Sequence, residues 1–186
     1  MKPGINLASR SPRRRSLLAA AGFEVFEVQG RPEPALGSGD PVQAAIASAM
    51  AKLPKEPADR RPLLAADTVV GLGNRLFGKP EGRADAHAML SALSGREHDV
   101  VTGVALRYLS DEVVFAVSSK VTFRDLSSAM LEHYLDCGEF VDKAGAYGIQ
   151  GLGVALVEHV SGSYSNVVGL PLTEVIAHLR RLGVSP

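Results

Sequence analysis

The chain has 186 residues, 46% of them apolar and 22% charged, which is enough to bury a core and excludes a disordered tail. Lys plus Arg total 20 and Asp plus Glu total 20, so a general polyanion binder is excluded and any anion site must be local. A single cysteine, Cys137, rules out an internal disulfide or a paired-cysteine zinc site, and 5% aromatic content without tryptophan leaves few platforms for stacking single-stranded nucleic acid.

In chain order, INLAS (5–9) reads as a short buried strand, after which Ser11 and Pro12 supply an N-cap and first-turn proline for a helix that ends at Gly22. SPRRRSLLAAAGF (11–23) resembles a twin-arginine export signal, but Glu24 and Glu27 end its short apolar stretch, so it reads as a helix start. FEVFEV (23–28) alternates with period two and predicts a strand with one wet face. Residues 29–41 are Gly- and Pro-rich and form a loop, a small-residue helix spans Val42 to Lys52, and 53–62 is a polar connection. LLAADTVVGL (63–72) is too apolar for a surface element and predicts a buried strand that delivers Asp67 and Thr68 near a sheet edge or strand end.

Gly73-Asn74 signals a hairpin, and Ala84, Ala88, Met89, Ala92 and Leu93 form a helical stripe ending at Gly95. Two long strands follow at 98–109 and 113–123, joined by a turn at Ser110-Asp111. Residues 127–137 form a helix closed by Gly138, and the glycine-rich 143–153 is a loop suited to close backbone approach. A strand at 152–160 and an amphipathic helix after Pro171 complete the chain. The 98–123 pair is hairpin-linked, so the sheet cannot be all parallel; a mixed α/β fold around a long twisted sheet is expected. No apolar run approaches the roughly 18 residues that cross a bilayer.

Four stretches bear on chemistry. GNRLFGKP (73–80) starts like a P-loop but places Pro80 where a hydroxyl should bind magnesium, and it reads as a hairpin, so that function is set aside. SRSPRRR (9–15) puts three arginines in the first turn of a helix, where the dipole disfavours cations; free helix N–H groups with Arg13 and Arg14 then suit a phosphate, against the plainer reading of a solvated face. Asp67 in an apolar strand and Glu33 in the Gly/Pro-rich loop could hold a divalent metal while Lys79 and the arginines hold phosphates. Cys137 and His133 are four apart on a helix without a third partner, which favours a small buried hydrophobe over a nucleophile, and the remaining histidines lack zinc-ligand spacing.

LASRSPRR (7–14), AADT (65–68), GKP (78–80), SGREHDVVTGV (94–104), GEFVDKAGAYGIQG (138–151) and GSYSNVVGLPL (162–172) together resemble the ordered blocks of the Maf family, over about residues 5 to 182. The resemblance implies a two-lobed α/β, Maf/ITPase-like fold, with residues 1–186 as one domain and a nucleotide cleft between the lobes. It implies a house-cleaning nucleoside triphosphate pyrophosphatase of the branch that hydrolyses dTTP and UTP. Asp67 resembles the proton acceptor; Arg13, Thr68 and Gln150 resemble specificity positions; Ser9, Arg14 and Lys79 fall in phosphate-binding segments. Asp67, with Glu33, is the implied holder of Mg2+ or Mn2+.

Three positions depart from the family pattern. IASAMA (46–51) puts Met50 on the lysine position of a family helix, which implies loss of that lysine's contact, with Lys52 two residues on. RPEPA (31–35) has one acid where the family often has adjacent acids, and Ser16 replaces a common glutamate. The expected protein is a cytoplasmic homodimer that binds a small-molecule nucleotide and neither nucleic acid nor membrane. The alternative is a nucleotide-binding regulator of division and septum formation with little or no turnover.

Overall fold

A computed structural model describes residues 2–32, 39–56 and 59–186. Its elements are β1 (Gly4–Leu7), α1 (Pro12–Ala20), β2 (Glu24–Glu27), α2 (Pro41–Lys52), β3 (Leu63–Leu72), β4 (Arg75–Phe77), α3 (Arg83–Leu93), β5 (Glu97–Tyr108), β6 (Asp111–Phe123), α4 (Ser128–Asp136), β7 (Val157–Ser161), α5 (Tyr164–Val168) and α6 (Leu172–Arg181). Among these residues the strands form one seven-stranded sheet in the order β2-β1-β3-β5-β6-β7, with β4 also paired to β3. β1 runs parallel to β2 and β3, whereas the β3–β4, β3–β5, β5–β6 and β6–β7 pairs are antiparallel. The expected mixed α/β fold is therefore present.

The sheet forks along β3. On one edge, β5 pairs with β3 without interruption from Leu63 to Gly71. On the other edge, β1 pairs only with Leu63 and Leu64, and pairing with β4 begins at Val70. Residues 65–69 thus have no strand partner on that side, and Asp67 and Thr68 lie in the gap. The sequence placed them near an edge or a strand end; they sit at an edge, in mid-strand.

Helix α2 crosses the sheet at this level. Its inward face carries Ala45, Ser48 and Ala49, and opposite them stands Gly103 of β5, where a Cβ would overlap the Ala45 carbonyl. Small residues on both sides let helix backbone touch strand backbone. Two larger cores flank the gap. Leu90, Leu93, Phe123, Leu131 and Leu135 pack around α3 and α4, while Ile5, Leu7, Leu18, Leu106, Val175 and Leu179 pack around α1 and α6. Each such buried side chain contributes about 1.5–3 kcal/mol.

Several boundaries differ from the sequence reading. Ala84 and Ala88 are exposed, and the inward stripe of α3 is Ala86, Met89, Leu90 and Leu93. The β5–β6 turn is Leu109-Ser110, with Leu109 at φ 53, a left-handed conformation that a leucine does not advertise. Residues 151–156 form a 3-10 turn, so the strand expected from 152 begins at Val157. The short α5 was not foreseen, because its capping Ser163 and C-terminal Gly169 bracket only five residues.

Candidate active site

The fork in the sheet opens into a cleft of about 1460 Å3 that takes in Ser9, Arg13, Arg14, Asp67, Thr68, Lys79 and Gln150. Seven of the eight residues singled out in the sequence therefore line one cavity. The eighth, Glu33, lies outside the described residues.

Residues before and within the first turn of α1 form one wall. Ser11 caps the helix by accepting from the Arg14 N–H, and Pro12 occupies a position where its missing N–H costs nothing. The three arginines then diverge. Arg14 is 8% exposed and donates from Nη1 to Ser9 Oγ (3.0 Å), from Nε to the Gly169 carbonyl (2.7 Å) and from Nη2 to Thr68 Oγ1 (3.0 Å). Arg13 is half-buried at the cleft; burial pushes its guanidinium below the ordinary value, against the opposing pull of the Asp142 carboxylate. Arg15 turns outward to an exposed pair with Glu27 at 3.1 Å. The solvated-face reading holds for Arg15.

Asp67 projects toward α2, where Lys52 Nζ donates to its Oδ1 at 2.5 Å. The two side chains are 17% and 7% exposed. Met50, by contrast, is 46% exposed. The expected loss of a lysine contact is thus corrected: Lys52, the last residue of α2, brings an ammonium to the cleft carboxylate. The sequence signal is a lone cation ending an alanine-rich helix.

Successive strand residues point to opposite faces, so Thr68 projects away from α2. Its Oγ1 lies 2.9 Å from Oγ1 of Thr102, its register partner on β5. Thr102 donates in turn to the Asn166 carbonyl at 3.2 Å. Because the neighbouring edge is open, one cleft reaches both faces of β3. Thr102 was not singled out in the sequence, since an interior threonine in a strand carries no distinguishing signal.

The opposite wall comes from Gly78-Lys79 and the glycine-rich loop. The Gly145 N–H donates to the Gly78 carbonyl at 3.0 Å and joins these segments. Gly73 lies in the β3–β4 hairpin and no helix begins before Arg83, so the architecture is not that of a P-loop. The Glu139 carboxylate accepts from the N–H groups of Leu152 (3.1 Å) and Gly153 (3.3 Å), and Tyr134 Oη accepts from Gly148 N–H (3.3 Å). A side chain at Gly153 would overlap the Gly148 carbonyl, which explains a glycine there. Gln150 is exposed to the cleft.

Lys143, on the same loop, also lines the cleft; burial and the nearby positive charge of Arg13 push its ammonium below the ordinary lysine value. Two cations that disfavour each other in the free protein would be relieved by an anionic ligand. Elsewhere, Cys137 is exposed, with its thiol donating to the Tyr134 carbonyl at 2.8 Å, and this corrects its reading as buried. Among the described residues no group of three His, Cys, Asp or Glu could hold a metal, and no helix is long and apolar enough to cross a membrane.

The cavity therefore offers cations for an extended anion, a carboxylate in mid-strand, and backbone and amide groups on a tight loop. The family model described as "Maf-like protein" matches residues 4–182. The chain is 46% identical over 181 residues to a protein of Myxococcus xanthus named dTTP/UTP pyrophosphatase, covering 96% of this chain and 92% of that one. Proteins of the same name from Anaeromyxobacter dehalogenans (45% over 188 residues, 98% and 96% covered) and Pyrococcus furiosus (42% over 176 residues, 92% of each) are also similar.

Proposed function

The chain belongs to the Maf family, and from that premise we propose that it hydrolyses dTTP and UTP to the nucleoside monophosphate and pyrophosphate. The observation that carries the reading is the Asp67–Lys52 pair at 2.5 Å in a cleft shared with Arg13, Lys79 and Lys143. The relatives are named as enzymes, which does not favour a regulator that binds without turnover.

In the proposed reaction, water attacks the α-phosphorus and loses its proton to Asp67 while the α–β bridging bond breaks and pyrophosphate leaves. Lys52 holds the carboxylate in place, and Arg13, Lys79 and Lys143 offset charge on the phosphates. Ser9 and Arg14 shape the phosphate wall. Gln150 reads the pyrimidine through its amide, which offers an acceptor and two donors.

Magnesium or manganese fits the donor set. Such ions take one or two carboxylates together with substrate phosphate oxygens, and Asp67 is a carboxylate in the phosphate cleft, with Glu33 as a second outside the described residues. When bound, the ion supplies Lewis-acid charge to the phosphates.

Purified protein with magnesium or manganese is expected to release pyrophosphate from UTP and dTTP; orthophosphate as the first product would overturn the assignment. We further propose a cytoplasmic homodimer, checked by solution mass. Among the described residues, 111–118 of β6 have no strand partner other than β5, which leaves an edge to which a second copy can add.

A further inference from the structure

A carboxylate in a phosphate cleft is where a divalent ion would sit, yet one oxygen of Asp67 is already engaged. Lys52 Nζ donates to Oδ1 at 2.5 Å, and the two side chains are only 7% and 17% exposed. The lysine is held in this place by its helix: α2 rests on β5 at Gly103, and the Lys52 carbonyl accepts from the Arg31 N–H at 3.0 Å. The surroundings act in the same direction. Among the described residues that line the cleft, arginines and lysines outnumber aspartates by seven to three, and the stretch 33–38 holds only one further acid, Glu33. The protein's own charge in the cleft therefore repels a free divalent cation and attracts a polyanion.

We propose that Lys52 is the cation Asp67 carries until a nucleotide arrives: its ammonium occupies the carboxylate oxygen a divalent ion would use, so metal enters the cleft only together with the nucleotide. The inference rests on the pyrophosphatase reading above and adds an order of binding to it. An ion reaching Asp67 alone would have to displace Lys52, or share the carboxylate with it as a close neighbour where repulsion is weakly screened. The phosphates of a nucleotide remove both obstacles. Their charge offsets the cationic excess, and their oxygens supply the coordination that one or two carboxylates leave open. They also offer the ammonium other anionic partners, and a lysine, a point charge on a flexible stem, can exchange one for another.

The test titrates Mn2+ alone, without nucleotide, by electron paramagnetic resonance in the parent and in Lys52→Met, Lys52→Arg and Lys79→Met. Methionine keeps an unbranched stem and drops the charge. In Lys52→Met, Mn2+ should bind on the order of tenfold more tightly than in the parent, and adding Asp67→Asn should remove that gain. Lys52→Arg keeps the charge and should stay at the parental affinity. Lys79→Met takes one charge from the opposite wall of the same cleft and should gain less than Lys52→Met, which separates occupancy of the carboxylate from the general field.

Removing Lys52 strips a buried carboxylate of its cation, so a measurement on the parent serves if Lys52→Met fails to fold. In equilibrium dialysis the parent should retain little Mn2+ by itself and should retain it with saturating α,β-methylene-UTP, whose scissile bridge resists hydrolysis. Equal retention with and without this nucleotide would overturn the proposal. So would an unchanged affinity in Lys52→Met, a gain that survives Asp67→Asn, or a gain of the same size in Lys79→Met or Lys52→Arg. If the parent releases no pyrophosphate from UTP or dTTP, the enzymatic reading falls instead, and the affinities for Mn2+ alone still decide what Lys52 excludes.

Discussion

Asp67 and Arg13 illustrate how a residue's neighbours settle what its type leaves open. Asp67→Asn preserves shape while removing the proton acceptor, so kcat should fall by roughly 100-fold or more, measured as pyrophosphate release. Arg13→Ala should raise KM and lower kcat, because a half-buried guanidinium at the cleft meets charge that shifts during reaction, whereas Arg15→Ala should retain parental kinetics. Loss of function in both variants alike would return the three arginines to a single role. The sequence made the arginine cluster and the AADT acid legible because each breaks a local rule: cations at a helix start and a carboxylate in an apolar strand. Lys52 breaks no rule at a helix C-terminus, where cations are welcome, so only its contact with Asp67 identifies it.

At the scale of elements, the docking of α2 on β5 places Lys52. Gly103 permits the Ala45 carbonyl to rest on the strand, and any side chain there must push the helix outward. Gly103→Ala should therefore cost about 1–3 kcal/mol of stability, read as a lower urea midpoint. It should also lower kcat, since the ammonium at the far end of α2 moves with the helix. Retained activity at reduced stability would separate helix placement from chemistry. Hydrophobic periodicity disclosed β3, β5, β6, α3 and α6, but the start of β7 stayed hidden: GLGVAL (151–156) has a strand's composition, and its 3-10 path is imposed by the Glu139 carboxylate drawing in two backbone N–H groups.

For the whole molecule, His98 links the sheet to the cleft loop. It is buried, its Nε2 lies 2.8 Å from Tyr147 Oη, and its ring packs edge-on against Phe123 and Tyr147. Burial holds the imidazole at about 4, below its ordinary 6.5. The unfolded chain thus takes up this proton first as pH falls. Stability from His98 is complete above 6.5 and declines by about 3 kcal/mol on the way to 4. Asp59, which hydrogen bonds from Arg61 hold at about 2, titrates below that window. Urea midpoints between pH 7 and 4 should fall in the parent and flatten in His98→Gln; equal slopes would assign the loss elsewhere. We also propose that residues 1–186 melt as one unit, since β3 and β5 run unbroken between the two larger cores.

The fork in the sheet also governs where the gene can change length. One codon inserted between residues 64 and 67 would reverse the facing of every later β3 residue, sending the Asp67 carboxylate to the Arg14 side and the Thr68 hydroxyl to α2. One codon added at the Leu109-Ser110 turn alters only the tip of a hairpin remote from the gap. A library of single-codon insertions selected for pyrophosphate release should therefore retain clones at 109–110 and lose those at 64–67. This lineage can lengthen or trim its long hairpin freely, while the five residues, 65–69, between the reaches of two short strands stay fixed in number.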